Sequence, residues 1–228
     1  MFDALLDRYE KLVLIDTETT GLRYDRDEII EYAAVTVERR GGTAAVTEQY
    51  DELIRLSPTG FLPAKIEELT GITNQDLLDR GLPKQQVCRD VARMLEGNTL
   101  LLAYNAHFDF SFLFYFLLRD GDPDILRGKD KLDLYTVYKD RRSYPHRLCN
   151  AIEAYGLGDR VVNSHRAVDD VLATVAVMEA MEKEKDDLLR YVNLFGYNPK
   201  YGVSGKPISS VTYKPQRFDP PQPLYEQE

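Results

Sequence analysis

Asp16 and Glu18 stand two positions apart in "LVLIDTETTG", directly after the aliphatic run Leu12 to Ile15. Residues two apart on a strand share a face, so both carboxylates point one way at the place where the chain leaves its core. Like charges at close range raise each other's pKa, and water, a basic partner or a divalent cation must offset them. "LIDTETTG" contains no lysine or arginine. By itself the pair has two readings. It is a solvated strand end in which Thr17, Thr19 and Thr20 open a turn, or it is half of a cation site.

Two further acids repeat the ambiguity. Asp109 in "AYNAHFDFSFLFYFLL" follows the apolar run 99–104 and lies in the first turn of an apolar helix. An aspartate there also suits the helix dipole and the free amides. Asp170 in "NSHRAVDDVLATVAVM" flanks the stripe Val168, Val171, Leu172 and Val175. His165 precedes it by five residues, about 140° around an ideal helix. It therefore reaches the same cleft only from a position ahead of the helix, with Ser164 near the cap. Asp169 is the alternative to Asp170. Capping and solvation account for each residue singly.

Together they make a different pattern. Four carboxylates accompany one histidine, and hard oxygen ligands of that number suit Mg²⁺ or Mn²⁺ rather than zinc. Two such ions activate water and stabilise the leaving oxygen in phosphodiester cleavage. Histidine, as a residue type that titrates near neutrality, is the matching general base. The other two histidines read differently: His107 as a surface residue or a support behind the site, His146 as a helix cap.

Strands are expected over 11–16, 28–38 and 44–56, with "RRGG" as the turn joining the last two. Helices follow over 63–71, from Pro63 to Gly71, and over 83–97, where Val87, Val91, Met94 and Leu95 share a face closed by Gly97. Next come a buried strand at 99–104 and a helix at 108–119. "KLDLYTVY" reads as a short strand passing into a helix, and two more helices cover 146–156 and 166–185. This order predicts an α/β fold, a mixed β-sheet flanked by helices. Residues 1–195 read as one domain and 196–228 as an arm rich in proline and tyrosine, disordered at its far end. Its stretch 197–217 carries Lys200, Lys206, Lys214 and Arg217, three tyrosines (Tyr197, Tyr201, Tyr213) and no acid. That suits contact with a nucleic-acid strand, or equally an arm that packs on the domain.

The 228 residues carry a formal net charge of −9, which argues against a broad grip on nucleic acid and leaves room for a small footprint on a strand end. No apolar run approaches the roughly 20 residues of a membrane span. The start "MFDALLDRYEK" lacks the basic beginning and apolar stretch of a signal peptide. Cys88 and Cys149 fall in helical segments without metal-ligand spacing, so no membrane association and a reducing, cytoplasmic location are expected.

"DTETTG", "NAHFDFSFL" and "HRAVDD", in this order and spacing, resemble the three motifs of the DnaQ-like 3′–5′ exonucleases in their DEDDh branch. The resemblance covers roughly residues 10–180, and "LTGIT" at 69–73 is similar to a loop these enzymes share. It implies a ribonuclease H-like fold, two Mg²⁺ or Mn²⁺ ions held by Asp16, Glu18, Asp109 and Asp170, and His165 as the base. The sister branch has a tyrosine where this chain has Arg166. Members usually have histidine where this chain has Tyr104. The resemblance further implies that Thr19, Gly21, Leu22 and Asn105 hold the substrate: the backbone near Gly21, Leu22 as a wedge against the terminal bases, Asn105 at the sugar or orienting its loop. Simple turn roles remain open for all four. The implied activity is release of nucleoside monophosphates from single-stranded DNA 3′ ends. That is the work of the proofreading subunit or domain (epsilon or PolC type) of bacterial replicative DNA polymerase III. A polymerase subunit would be the partner, unless the enzyme stands free. Short RNA is the second reading. A catalytically idle binding module is the third, and against it none of the five chemical residues is missing.

Overall fold

The aliphatic run ahead of Asp16 becomes the central strand of a five-stranded sheet. The computed structural model describes residues 1–217 and 222–227. The strands are β1 (Lys11–Thr19), β2 (Ile29–Arg40), β3 (Thr43–Leu53), β4 (Thr99–Ala103) and β5 (Asp130–Asp133), in the spatial order β3-β2-β1-β4-β5. β1, β2 and β3 pair antiparallel, while β4 pairs parallel to both β1 and β5. Gly41 and Gly42, at φ 58° and 86°, make the two-residue turn between β2 and β3. Such turns match the strand twist only with positive φ at both residues, which glycine supplies without strain.

Eight α-helices are found among the described residues: α1 (Asp3–Arg8), α2 (Ala64–Thr70), α3 (Asn74–Asp79), α4 (Lys84–Met94), α5 (Ala106–Asp120), α6 (Leu134–Arg141), α7 (Leu148–Ala154) and α8 (Ala167–Glu184). Strand periodicity sorts them into two layers. Leu12 and Leu14 of β1 and Leu100 and Leu102 of β4 join Val137, Ile152, Val171 and Met178, from α6, α7 and α8, in one core. The alternate residues Val13, Ile15, Leu101 and Ala103 join Val87 and Val91 of α4 and Phe112, Leu113 and Phe116 of α5 in the other. By the same alternation Asp16 and Glu18 lie on the α8 side of the sheet. The fold is the expected mixed sheet with a helical layer on each face.

Two helices were not anticipated. α1 buries Leu5 and Leu6, and α3 opens with a capping box between Thr73 and Asp76. Pro63 stands at the cap of α2 rather than in its first turn, and α4 ends at Met94, short of Gly97.

Beyond residue 193 the chain folds back on the domain. β6 (Leu194–Tyr197) and β7 (Thr212–Pro215) form a parallel pair, so the expected boundary between 195 and 196 falls inside β6. Phe195 is buried in the α5-side core, with Tyr213 packed against it. Gln216 is buried. Its amide donates to the Thr136 carbonyl at 2.9 Å and to the Asp140 carboxylate at 2.6 Å. The disorder expected at the far end falls partly on 218–221 and 228, outside the described residues, while Leu224 is fully buried. Among the described residues no helix is long and apolar enough to cross a membrane.

Candidate active site

At the end of β1, Asp16 stands opposite Ala33 and Glu18 opposite Glu31, and the register slips between Glu18 and Thr19. Thr17 points to the other face, where its hydroxyl donates to Asp109 Oδ1 at 2.8 Å. Asp109 is buried, and its place is set by the start of α5. Asn105 takes a left-handed conformation at φ 66° and ψ 47° and makes no side-chain cap. Instead Ala106 N–H donates to Asp133 Oδ1 at 3.0 Å. The Asp133 carboxylate also accepts from the amides of Tyr135 and Thr136 at the start of α6. One buried acid thus joins two helix starts and leaves Asp109 free to face Thr17.

The last motif supplies the other half. Ligand atoms of Glu18, His165 and Asp170 all lie within 4.8 Å of one another. His165 is exposed and left-handed at φ 58°, placed ahead of α8 as the helical angle requires. Asp169 is engaged by the Ser164 hydroxyl, whereas Asp170 is buried and its Oδ1 has no hydrogen-bond partner among the described residues. The anchor of this segment is Glu31, fully buried in β2. It accepts from Arg166 Nε at 2.8 Å and Nη2 at 2.5 Å, and from Ala167 N–H at 2.8 Å.

These acids sit together at an electrostatic cost. Burial pushes Asp16 well above the usual carboxylate range, helped by the charges of Asp109, Asp170, Glu18 and Glu31. Glu18 is pushed up to about 8 by burial and then by Asp170, Glu31 and Asp109, with Arg166 opposing. Asp109 rises to about 7 through burial, against the hydrogen bond from Thr17. Burial also raises Asp170. A divalent cation removes this cost at once, because it is the largest local charge and reverses the pKa logic of its ligands. The buried, unpartnered Asp170 Oδ1 and the mostly oxygen donor set fit such an ion.

The neighbouring loop is tight. Thr19 donates its hydroxyl to the Gly21 carbonyl at 2.6 Å. A Cβ on Gly21 would lie 2.4 Å from Asp27 Oδ2, so a side chain there would displace that carboxylate. Leu22 follows, 83% exposed. It borders a groove of about 210 Å³ whose walls include Asn105, His107, Tyr135, Tyr197 and Tyr213. His107 is a tie to the arm: Nδ1 meets the Tyr213 hydroxyl at 2.7 Å, and Nε2 meets the Ser204 carbonyl. His146 does not cap a helix, since Arg147 occupies the cap of α7. It is buried among the rings of Tyr135, Tyr138 and Tyr144, with Nε2 2.8 Å from the Arg142 carbonyl. Tyr104 donates its hydroxyl to the His146 carbonyl at 2.7 Å. Glu31 and Asp133 were not anticipated as part of this architecture. Their signals were an acid inside the buried run "EIIEYAAV" and an acid directly before a helix in "KLDLY".

Two carboxylates at the end of the central strand of a mixed sheet, two more on the helices α5 and α8 against it, and a histidine ahead of α8 are the ribonuclease H-like arrangement. The sequence model of the exonuclease family (RNase_T) matches residues 13–178, and the chain belongs to that family. It is 34% identical over 176 residues to a DNA polymerase III PolC-type protein of Thermotoga petrophila, 75% of this chain and 12% of the relative. It is 32% identical over 166 residues to the 3'-5' exonuclease DinG of Bacillus subtilis, 65% of this chain and 17% of the relative. It is 31% identical over 169 residues to the DNA polymerase III subunit epsilon of Treponema pallidum, 73% and 74% of the two chains. The chain therefore spans only a small part of the first two relatives and most of the third. Among solved structures, Escherichia coli exonuclease I in complex with a dT13 oligonucleotide superposes with a TM-score of 0.69 at 20% identity, over 80% of this chain and 43% of that one. At that identity the likeness shows the shared fold.

Proposed function

We propose that the chain is a 3′–5′ exonuclease unit that hydrolyses single-stranded DNA from its 3′ end and releases nucleoside monophosphates. Residues 1–195 are the catalytic domain and 196–228 an arm, of which Tyr197, Ser204 and Tyr213 help to wall the groove. The observation that carries this reading is the gathering of Glu18, His165 and Asp170 ligand atoms within 4.8 Å, close enough to Asp16 and Asp109 that Glu18, Asp109 and Asp170 all raise Asp16 and Asp109 also raises Glu18. Asp16, Glu18, Asp109 and Asp170 would hold two Mg²⁺ or Mn²⁺ ions. When bound, these ions lower the pKa of water and stabilise charge on the attacking and leaving oxygens.

The chain's own groups do the rest. His165, exposed at the rim, accepts the proton of the attacking water. The Gly21 backbone and Thr19 shape the loop that receives the terminal nucleotide, Leu22 wedges against its base, and Asn105 reaches the sugar. DNA is preferred over RNA because the named relatives are DNA polymerase III components and the matching exonuclease I structure holds a DNA oligonucleotide. A DNA polymerase is the favoured partner on the same ground.

The test is single-turnover digestion of 3′-labelled DNA and RNA oligomers in Mg²⁺, Mn²⁺ or EDTA. Mononucleotides released from DNA in either metal, no product in EDTA, and a loss of several orders of magnitude in Asp16→Ala are expected. Full activity in EDTA, or in Asp16→Ala, would overturn the mechanism. Faster digestion of RNA would overturn the substrate.

A further inference from the structure

His165 is the one proposed chemical group that no regular element holds. It sits in the irregular segment ahead of α8, exposed, in a left-handed conformation at φ 58°. A non-glycine residue there is strained and persists only where its surroundings over-determine it. The next residue is where the constraint lies. Arg166 places Nε and Nη2 on one carboxylate oxygen of Glu31, at 2.8 and 2.5 Å, while the other oxygen takes the Ala167 amide at 2.8 Å. Glu31 has no exposed surface and lies in the middle of the sheet, opposite Glu18 in the β1–β2 register. The buried end of this pair is therefore as rigid as the sheet, and guanidinium geometry fixes direction as well as distance.

We infer that Arg166, clamped by Glu31, is the positioning residue for His165: it fixes the backbone one residue away so that the imidazole stays over Glu18 and Asp170. The inference rests on the proposed role of His165 as base. A second division of labour follows from the contacts. Glu31 holds the start of α8, and with it Asp170, through the Ala167 amide. Arg166 holds the segment before the helix. Losing Arg166 alone would strand a buried carboxylate beside the site acids and endanger folding.

The informative variant is therefore the charge-neutral pair Glu31→Gln with Arg166→Met, which keeps an acceptor for the Ala167 amide and the net charge of the pair. It is compared with His165→Ala and with the triple combination, on a single-stranded DNA oligomer in Mn²⁺. We expect kcat of the pair variant to fall about 10²-fold, within the range of a lost general base, with KM and calorimetric Mn²⁺ affinity within about threefold of the parent. We also expect the triple variant to be no slower than His165→Ala alone, because a residue acting only through His165 has nothing left to position. Multiplied losses in the triple variant, a fully active pair variant, or a large fall in Mn²⁺ affinity would each overturn the assignment while His165 keeps its role. A fully active His165→Ala protein would overturn the proposed role of His165, and this inference with it.

Discussion

Asp109→Asn should make the metal-free protein more stable while destroying its activity. Asp109 is buried in the folded chain, and its pKa there is about 7 against an ordinary 3.8. A carboxyl raised in this way binds its proton more tightly in the folded than in the unfolded state. Its charge therefore costs the fold nothing below about pH 4, and the whole penalty is present above about pH 7. A gap of about 3 pH units corresponds to about 4 kcal/mol. For a domain of this size each kcal/mol moves the melting temperature by about 2–4 °C, so the penalty is worth about 8–16 °C. Asparagine is nearly isosteric, and its carbonyl still accepts the Thr17 hydroxyl, so little else changes. The assay is thermal melting of parent and variant in EDTA between pH 5 and 8.5. At pH 8.5 the variant should melt about 8–16 °C higher, and at pH 5 the gap should shrink to about a third of that. Saturating Mn²⁺ should raise the parent much more than the variant. A variant that melts at or below the parent at pH 8.5, or a gap that ignores pH, would refute the claim that Asp109 is held in its buried place at a cost to the fold once it is charged.

Two further outcomes are expected. His165→Ala should lower turnover far more than it weakens metal binding and should flatten the acidic limb of the pH–rate profile; an unchanged limb would put the base elsewhere. For the arm, Leu224→Ala should cost about 2–5 kcal/mol of stability. Truncation after Asn193 should melt earlier still and lose activity on dinucleotide and longer strands alike, whereas parent-like melting with a defect only on longer strands would make the arm a substrate clamp.

The strand that ends in two acids was legible because a buried run can carry charge at its end only if something receives it. The helix-flanked sheet followed from the order of the elements, strands first and then helices alternating with strands. The position of His165 ahead of a helix followed from the angle between it and Asp170. What escaped notice depends on partners far away in sequence. Glu31 reads as a misplaced acid until Arg166 is brought to it across the sheet. His146 reads as a cap after Pro145 until three tyrosine rings enclose it. The packing of the arm turns on Gln216, and nothing local announces that its amide will find Thr136 and Asp140. α1 and α3 did leave local marks, the spacing of Phe2, Leu5, Leu6 and Tyr9 and the Thr73–Asp76 capping box.

The order in which the sheet's strands pair has a kinetic consequence. β1, β2 and β3 are successive along the chain and joined by short connections, so the ribbon that carries Asp16 and Glu18 closes with small loops. Asp109 arrives only when β4 pairs parallel to β1, with Leu12 against Leu100, and Asp170 only when α8 crosses the same strand. Contacts of such long reach form late and slowly. Each arrival also adds a negative charge to those already present, so the final docking steps run uphill unless an ion is there to meet them. During refolding, turnover should therefore return after secondary structure, and divalent ions should narrow that lag by acting on the last steps of assembly.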